Sequence, residues 1–416
     1  MDFAQFILEH EGEDPAALAL ARGRLASQVE DFDLALTTLE VRRKLRTKVP
    51  QWYAVPSLRY PLRLSGEQCS SAETAYYKAW VALRSVPSNR TFLPLFDRFA
   101  LDGKEKSDIL GPFCPISVAD LTGGLGVDSW AFAQVASAVL YNEMRPELAD
   151  AARQNFAALG LANVRVSCAE LCPGKLAEVL DGFTPDVIFL DPARRAQDGR
   201  KVFRLEDCQP DVLQLLPELL DACPHILLKL SPMADITLVA RQLGCVKEVH
   251  VVGADGECKE LLLNLERGYT VSFRTFIYEN GATLALDEVP ETVPVLSGDL
   301  LFEPGKALLK AGAFDLPCRY GLEKLEQHTH LYRASARVEA LTPFGKWFRI
   351  LETVPLDKRS MKEVSRRYPK ASVTARNIPM TSDELRKRMG VADGGPVHVF
   401  GVKSMSGNVL IVCTGS

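Results

Sequence analysis

The chain has 416 residues, of which 47% are hydrophobic and 25% are charged, and its formal net charge is −4. This composition is typical of a soluble globular protein of roughly two to four domains, and it excludes a uniformly basic nucleic-acid-binding chain. The ten cysteines form no C-x-x-C pair, and no segment approaches the length of about 18 uncharged residues that a membrane helix needs. We therefore expect reduced thiols, no membrane partner and a cytoplasmic location.

Residues 1 to about 90 are predicted to be helical. Asp14-Pro15 starts an Ala/Leu-rich segment that continues through Leu25, with proline at a favoured first-turn position. A second helix is predicted from Asp31 to about Arg46, and a third from about Ser65 to Val81. One face of the third helix is polar. We expect this face to be solvated, and the alternative is that the helix covers the cofactor or acceptor pocket. The polar residues of this face are Glu67, Gln68, Thr74 and Lys78.

From about residue 91 to residue 275, short apolar runs alternate with segments that are compatible with helices. Strands that alternate with helices predict an α/β fold with a doubly wound parallel sheet. The spacing of the last runs permits an antiparallel hairpin at the end of the sheet. The predicted strands are Ile116–Asp120, Ala138–Glu143, Val164–Cys168, Val187–Asp191, Ile226–Leu230, Val246–Val252, Leu261–Leu265 and Thr270–Phe276.

A glycine-rich turn follows the first predicted strand and precedes a predicted helix, Val127–Val135. Such a strand–loop–helix unit delivers backbone amides to a nucleotide-like ligand, although an ordinary glycine-rich turn is the alternative. Ser129 lies where an NAD fingerprint would have its third glycine, which argues against NAD. The predicted cofactor-binding residues here are Asp120, Thr122, Gly123, Gly124 and Gly126.

Two further carboxylates follow predicted strands. Glu143 ends the second strand, 17 residues after Gly126, where an acidic side chain can bind both hydroxyls of a ribose. Asn142 is an alternative ligand at this place, and a solvated loop acid is the alternative interpretation of Glu143. Glu170 follows the third strand, where a carboxylate can meet an adenine amino group.

The segment Asp191-Pro192-Ala193-Arg194-Arg195 follows the fourth predicted strand. Amino-group methyltransferases have Asp or Asn, two prolines and an aromatic residue in this loop, and this chain lacks the second proline and the aromatic. We predict Asp191, Pro192 and Arg194 as catalytic residues, with the Arg194 guanidinium pairing with a phosphate or stacking on a base. A structural ion-pair network around Asp191 is the alternative.

Together these motifs predict an S-adenosylmethionine (SAM) methyltransferase. A covalent mechanism at a pyrimidine C5 atom would need a cysteine after the fifth strand, and Leu228–Met233 offers none, while Cys208 is poorly placed. Lys229 and Ser231 are expected to face the pocket from the carboxyl end of that strand. His328-Thr-His330 has the spacing of one strand face, but no third ligand is visible, so we predict no metal site.

The last part of the chain is predicted to contain a small module at 276–330 and an α/β module at 331–416. From Asp357 to Arg388, ten basic and four acidic residues give a local charge of +6. A basic appendage of this kind favours RNA docking through phosphates, and a solvated helix face is the alternative. The predicted elements are strands Lys346–Leu356 and Ala371–Ile378, helix Asp357–Arg367, a capping box at Thr381–Glu384, and a hairpin of Val397–Lys403 and Asn408–Thr414.

On these residues the chain resembles bacterial class I SAM-dependent methyltransferase-like proteins with a THUMP-like C-terminal domain. The resemblance implies a Rossmann-like sheet at 91–275 after an N-terminal helical region at 1–90, then a ferredoxin-like module at 276–330 and a THUMP-like α/β domain at 331–416. Because THUMP domains bind RNA in tRNA-modifying enzymes, it also implies RNA, such as tRNA or rRNA, as a partner. The motifs that carry the resemblance are 120–128, 189–195, 228–232, 255–260 and 301–305.

The leading hypothesis is SAM-dependent methylation of an RNA nucleobase at a nitrogen. Asp191 would orient or deprotonate the acceptor, while Asp120, Glu143 and Gly123–Gly126 would hold SAM, so that most of the rate comes from proximity and orientation. A non-catalytic RNA-binding protein that kept a SAM fold is one alternative, favoured by the loop without an aromatic residue. A small-molecule or protein methyltransferase is the other. The sequence makes no prediction of the oligomeric state.

Overall fold

The computed structural model describes four stretches of the chain: 1–87, 116–194, 205–288 and 298–415. The chain divides into two compact units. The first unit contains Met1–Val249 and Glu260–Phe273, and the second contains His250–Lys259 and Arg274–Ser416. Within the four described stretches, every helix is too short or too polar to cross a membrane.

The first unit begins with a helical region, as predicted. Its α-helices are α1 (Phe3–His10), α2 (Pro15–Leu20), α3 (Arg22–Leu25), α4 (Phe32–Lys48), α5 (Pro50–Tyr53), α6 (Arg63–Gln68) and α7 (Ala72–Ser85). Aspartates start several of them, because a side-chain oxygen at the N-cap accepts a free backbone N–H. Asp31, for example, accepts from Leu34 N at 2.9 Å. The segment predicted to run without interruption through Leu25 breaks at Ala21, whose backbone (φ −86°, ψ 12°) leaves the helical region.

The predicted helix from Ser65 to Val81 is two helices, so this prediction was wrong. Ser71 is extended (φ −74°, ψ 160°), and its side chain accepts from Thr74 N and starts α7. Serine side chains compete with the helical backbone in this way. Helix α6 ends three residues earlier, where Cys69 (φ −59°, ψ 156°) leaves the helical region. The polar face also divides: Thr74 and Lys78 are buried, whereas Glu67 is exposed. The prediction of a solvated face was therefore wrong for α7.

A sheet flanked by helices forms the rest of the first unit. Its strands are β1 (Ile116–Asp120), β2 (Ala136–Asn142), β3 (Val164–Ser167), β4 (Val187–Leu190), β7 (His225–Leu230), β8 (Val246–Ala254) and β9 (Glu257–Glu266), and a separate two-residue ladder contains β5 (Ala193–Arg194) and β6 (Cys208–Gln209). The tip of β8 and β9, residues 250–259, belongs to the second unit. The accompanying helices are α8 (Val127–Phe132), α9 (Pro146–Ala158), α10 (Leu176–Leu180), α11 (Val212–Ala222) and α12 (Ile236–Leu243).

The strand order in this part of the sheet is β3-β2-β1-β4-β7-β9-β8. Strands β3, β2, β1, β4 and β7 are parallel, and β9 is antiparallel to β7. This topology confirms the Rossmann-like α/β class and the antiparallel end. All four residues of β4 are buried, as expected for a central strand covered on both faces. The carboxyl ends of β1, β2, β4 and β7 meet at one edge, where the predicted site residues lie.

The second unit contains a second sheet with the order β13-β14-β12-β15-β18-β17-β16. Its strands are β12 (Leu300–Pro304), β13 (Glu323–Lys324), β14 (Tyr332–Ala334), β15 (Gly345–Pro355), β16 (Ser372–Arg376), β17 (Val397–Ser404) and β18 (Gly407–Gly415). The second unit also contains the hairpin of β10 (Arg274–Glu279) and β11 (Ala282–Ala285), which is not part of this second sheet. Its helices are α13 (Lys306–Lys310), α14 (Leu316–Arg319), α15 (Lys358–Arg367) and α16 (Ser382–Met389).

Most predictions for the second unit are confirmed. Asp357 caps α15, the capping box of Thr381 and Glu384 is present, and β17 and β18 form the expected hairpin. Two predictions were wrong. The strand predicted at Thr270–Phe276 begins only at Arg274, and His328 lies in a turn and His330 directly after it, outside any strand, with His330 at φ 51°.

Candidate functional site

The glycine-rich loop after β1 depends on glycine because aromatic rings fill the space beside it. A Cβ atom on Gly123 would lie 2.1 Å from Cε2 of Tyr141, and one on Gly126 would lie 2.8 Å from Cζ of Phe156. Gly126 also has φ +93°, which side chains rarely allow. The Tyr141 hydroxyl donates to Gly124 O at 2.6 Å. The loop therefore has a fixed shape, set by β2 and α9.

Asp120 is buried at the end of β1, with 1% of its surface exposed. Its carboxylate accepts from the Ser129 hydroxyl at 2.6 Å and from Thr122 N at 3.2 Å. Burial is the main cause that raises the pKa of Asp120 to about 8; the two hydrogen bonds oppose this rise, and the negative charges of Asp128 and Asp191 add to it. A cationic ligand beside this buried carboxyl would favour its ionised form.

Thr122 joins the loop after β1 to the loop after β4. Its backbone N–H donates to Asp120, and its hydroxyl accepts from Asp191 N at 2.6 Å. Thr122 therefore connects the Asp120 carboxylate with the backbone of Asp191.

Glu143 lies one residue beyond β2 and is turned toward the glycine-rich loop. Its carboxylate accepts from Gly124 N at 2.9 Å and from Arg145 N at 3.0 Å. Asn142, the alternative ligand, is buried and bonds to the chain itself, to Ala169 N at 3.1 Å and Ala169 O at 3.0 Å. It links the ends of β2 and β3, so Glu143 is the better placed of the two.

Asp191 follows β4 and pairs with Lys229 of β7, as the prediction that Lys229 faces the pocket requires. The Lys229 ammonium lies 2.5 Å from Oδ2 of Asp191, and the Asp191 side chain is 37% exposed. Burial alone would lower the pKa of Lys229, but the charges of Asp191 and Glu260 raise it above its ordinary value. Lys229 is thus a permanent positive charge beside an accessible carboxylate.

The rest of the loop after β4 is only partly described. Pro192 is buried, and the backbone of Ala193 and Arg194 pairs with Gln209 and Cys208. The side chain of Arg194 and the whole of Arg195 lie outside the described residues. Cys208 is fully buried, which fits its rejection as a nucleophile.

A buried ionic cluster lies behind the pair of Asp191 and Lys229. The ammonium of Lys78 is 0% exposed and donates to Glu260 Oε1 at 2.7 Å and to the Ser70 hydroxyl at 2.8 Å. It also lies 3.1 Å from Oδ1 of Asp128. The second oxygen of Glu260 lies 3.8 Å from the Lys229 ammonium. Helix α7 and strand β9 thus contribute charges to the same edge of the sheet.

Two regions of the chain match domain families. Residues 345–415 match the THUMP domain-like family, and residues 300–341 match a ferredoxin-like domain. Uncharacterized SAM-dependent methyltransferases of two Mycobacterium tuberculosis strains, CDC 1551 / Oshkosh and H37Rv, are each 28% identical to the chain over 309 residues. The matched part is 72% of this chain and 82% of each relative.

A solved structure extends the match to the whole chain. The crystal structure of the "putative methyltransferase from Porphyromonas gingivalis W83" has 30% sequence identity and a TM-score of 0.76, and the match covers 100% of this chain and 97% of that one. The chain belongs to this family of SAM-dependent methyltransferases. The predicted THUMP-like and ferredoxin-like domains of the methyltransferase are confirmed by the two family matches.

The methyltransferase brings most of its predicted site residues together, but the sequence analysis missed the buried cluster. Glu170 is exposed after β3, and its contact with adenine stays a prediction. Asp128 and Glu260 are the last residues of motifs 120–128 and 255–260, and this position was their signal in the sequence. Lys78 lies on the polar helix face for which a pocket cover was the alternative, but nothing local distinguishes it from a lysine on a solvated helix.

Proposed function

We propose that this methyltransferase transfers the methyl group of SAM to a nitrogen of an RNA nucleobase. The observation that carries the proposal is the position of Asp191. Its carboxylate is accessible and is held by Lys229, and its backbone N–H is bonded to the Thr122 hydroxyl, at the start of the glycine-rich loop. An accessible carboxylate beside a nucleotide-type loop is suited to holding an amino group next to a methyl donor.

The residues at this edge fit SAM in charge and in space. At this edge lie the carboxyl groups of Asp120, Glu143 and Asp191 and the ammonium group of Lys229, so acidic groups outnumber basic ones among these described residues, which favours a cationic ligand. At Gly124 an added Cβ would meet nothing closer than Thr122 O at 3.9 Å, so the loop leaves open space there. SAM, when bound, supplies a methyl group on a positively charged sulfur.

We assign one task to most of the predicted residues. Asp120 would bind the cationic amino-acid end of SAM, Glu143 the ribose hydroxyls, and Glu170 the adenine amino group. The backbone of Gly123–Gly126 would let the ligand approach closely. Asp191 would accept a hydrogen bond from the acceptor N–H and so direct the nitrogen lone pair, and it would take the proton that the methylated nitrogen loses. Pro192 would fix the direction in which the chain leaves Asp191.

The second unit supports RNA as the acceptor. Its residues 345–415 match the THUMP domain-like family, and α15 and α16, which pack against each other, carry basic side chains toward solvent. Positive charge on one domain binds phosphates without regard to sequence. The exposed basic residues of this segment are Lys358, Arg359, Lys362, Arg366, Arg367, Lys370, Lys387 and Arg388. We keep 1–90, 91–275, 276–330 and 331–416 as the proposed domains.

Replacement of Asp191 tests the proposed reaction. With labelled SAM and bulk RNA from cells that lack the gene, wild-type protein is expected to label RNA, and Asp191→Ala to reduce the rate by about 10²–10⁴-fold. The control is Asp150→Asn on α9, an exposed carboxylate that pairs with Arg153 at the surface, which should keep the rate. Label in the protein or metabolite fraction, with none in RNA, would contradict the RNA acceptor.

Charge reversal on α15 tests the RNA surface. Lys362→Glu combined with Arg366→Glu is expected to weaken RNA binding and to reduce the slope of log K against log salt by about 1.5, because roughly two phosphate contacts are lost. The measurement is a salt titration of binding to bulk RNA. Arg24→Glu combined with Arg46→Glu makes the same charge change in the N-terminal helices. If the two double variants weaken RNA binding equally, α15 has no special part in binding.

A further inference from the structure

Five side chains of alternating charge form a continuous array in the first unit. They run in the order Asp128, Lys78, Glu260, Lys229 and Asp191. The distances between successive charged atoms are 3.1 Å, 2.7 Å, 3.8 Å and 2.5 Å. They come from α8, α7, β9, β7 and the loop after β4, so five separate segments meet in one array.

Only the last member of this array is accessible to a substrate. The side chains of Lys78, Asp128, Glu260 and Lys229 are between 0% and 13% exposed, against 37% for Asp191. Lys229 is also shared: one carboxylate oxygen of Glu260 and one of Asp191 lie on either side of its ammonium group. A shift of the Lys229 ammonium group would therefore also shift the exposed carboxylate of Asp191.

We infer that Glu260 and Lys78 are positioning residues for acceptor binding, which act on Asp191 through Lys229. The inference rests on the proposed function of Asp191. Glu260 holds the Lys229 ammonium from behind, and Lys78 in turn fixes Glu260. Lysine has a flexible four-carbon stem, so an ammonium group with a single anchor would follow the Asp191 carboxylate instead of fixing it. A displacement of about 1 Å in a reacting pair can cost about 100-fold in rate.

Glu260→Gln is the main test, because the amide has nearly the same shape but no charge. We expect kcat for RNA methylation to fall at least about tenfold, with the Kd for SAM and the KM for RNA changed less than about threefold. The matched control is Glu248→Gln. Glu248 is also buried and also ties the sheet to α7, through Arg84 at 2.5 Å, but it is not part of the array. It should lose similar stability and keep kcat.

A double-mutant cycle separates positioning from simple loss of structure. Lys78→Met and Glu260→Gln should be strongly non-additive in kcat, because both act through Lys229. Additive effects, or an equal fall of kcat in Glu248→Gln, would overturn the inference. If Glu260→Gln does not fold, Glu260→Asp keeps the charge on a shorter side chain, and it should still lower kcat while SAM binding is retained.

A second readout does not depend on turnover. In protein labelled with ¹⁵N-lysine, the buried Lys229 ammonium should give a slowly exchanging signal, assigned by its loss in Lys229→Arg. Glu260→Gln should shift or broaden this signal, whereas Glu248→Gln should leave it in place. An unchanged signal in Glu260→Gln would overturn the inference that Glu260 positions Lys229, even if the wild-type protein is active. If wild-type protein labels no RNA, the proposed function fails, and this signal still decides whether Glu260 positions Lys229.

Discussion

Asp120→Asn is expected to stabilise the cofactor-free protein at pH 8 while weakening SAM binding at least tenfold. Burial raises the pKa of Asp120 from its ordinary 3.8 to about 8. A carboxyl whose pKa is higher in the folded than in the unfolded state favours folding most below pH 3.8, and this advantage is lost as the pH rises through about 8. The loss is at most about 1.4 kcal/mol per pH unit within that window. Asparagine does not titrate, so the variant should not lose stability in this way as the pH rises.

Urea unfolding of wild-type and Asp120→Asn protein at pH 5 and pH 8 measures this effect. The difference in free energy of unfolding should grow in favour of the variant between the two pH values. Asp150→Asn, which removes an exposed carboxylate, should show no such growth. A constant difference for Asp120→Asn would contradict a raised pKa.

SAM binding tests the other half of the same prediction. A cationic ligand favours the ionised carboxylate, so binding at pH 7 should release a proton, and the calorimetric enthalpy should depend on the ionisation enthalpy of the buffer. A hydrogen bond to a charged group contributes about 1.5–3 kcal/mol, which is the origin of the expected loss of affinity. Asp120→Asn should lose both the affinity and the buffer dependence. Retained affinity would remove Asp120 from the SAM site.

Lys78→Met is expected to cost about 3–5 kcal/mol of stability, although methionine nearly matches lysine in length. Lys78 is 0% exposed, and its loss would remove the counter-charge that the buried carboxylates of Asp128 and Glu260 contact most closely, at 3.1 Å and 2.7 Å, while Lys229 stays 3.8 Å from Glu260. Breaking a buried ion pair from one side is costly because the remaining charge stays desolvated. Chemical denaturation provides the measurement, read as the free energy of unfolding.

The control is Lys44→Met, another lysine of the N-terminal helices that pairs with a glutamate. Lys44 and Glu67 are about half exposed, so this variant should lose at most about 1 kcal/mol. Adding Glu260→Gln to Lys78→Met should restore part of the lost stability, since it removes one of the two buried carboxylates that have lost their closest counter-charge. If Lys78→Met costs no more than Lys44→Met, the buried charges do not depend on Lys78.

The local parts of this fold and site could be predicted from the sequence. Strand β1 and the glycine-rich turn are adjacent in the chain, and Glu143 and Asp191 were found because acidic residues at strand ends meet at one edge of a parallel sheet. The break between α6 and α7 was missed, because Ser71 has the same helical surroundings in sequence whether it continues a helix or caps one.

Contacts between distant parts of the chain could not be predicted. Lys78 and Glu260 are separated by 182 residues, and no periodicity relates them. The direction of the Glu143 carboxylate, toward Gly124 N, depends likewise on how β2 lies beside the loop after β1. These contacts depend on how distant segments pack against each other. For the same reason Lys78, on a helix face predicted to be solvated, is fully buried.

The position of Lys78 limits how such an enzyme can be rebuilt by recombination. Its carboxylate partners lie in α8 and β9, so a catalytic sheet grafted onto a different N-terminal region would lack the lysine that pairs with both acids. A successful exchange would have to replace Asp128 and Glu260 in the same step. The N-terminal helices and the sheet are therefore expected to be inherited as one unit in evolution, even where the modules that follow them are gained or lost.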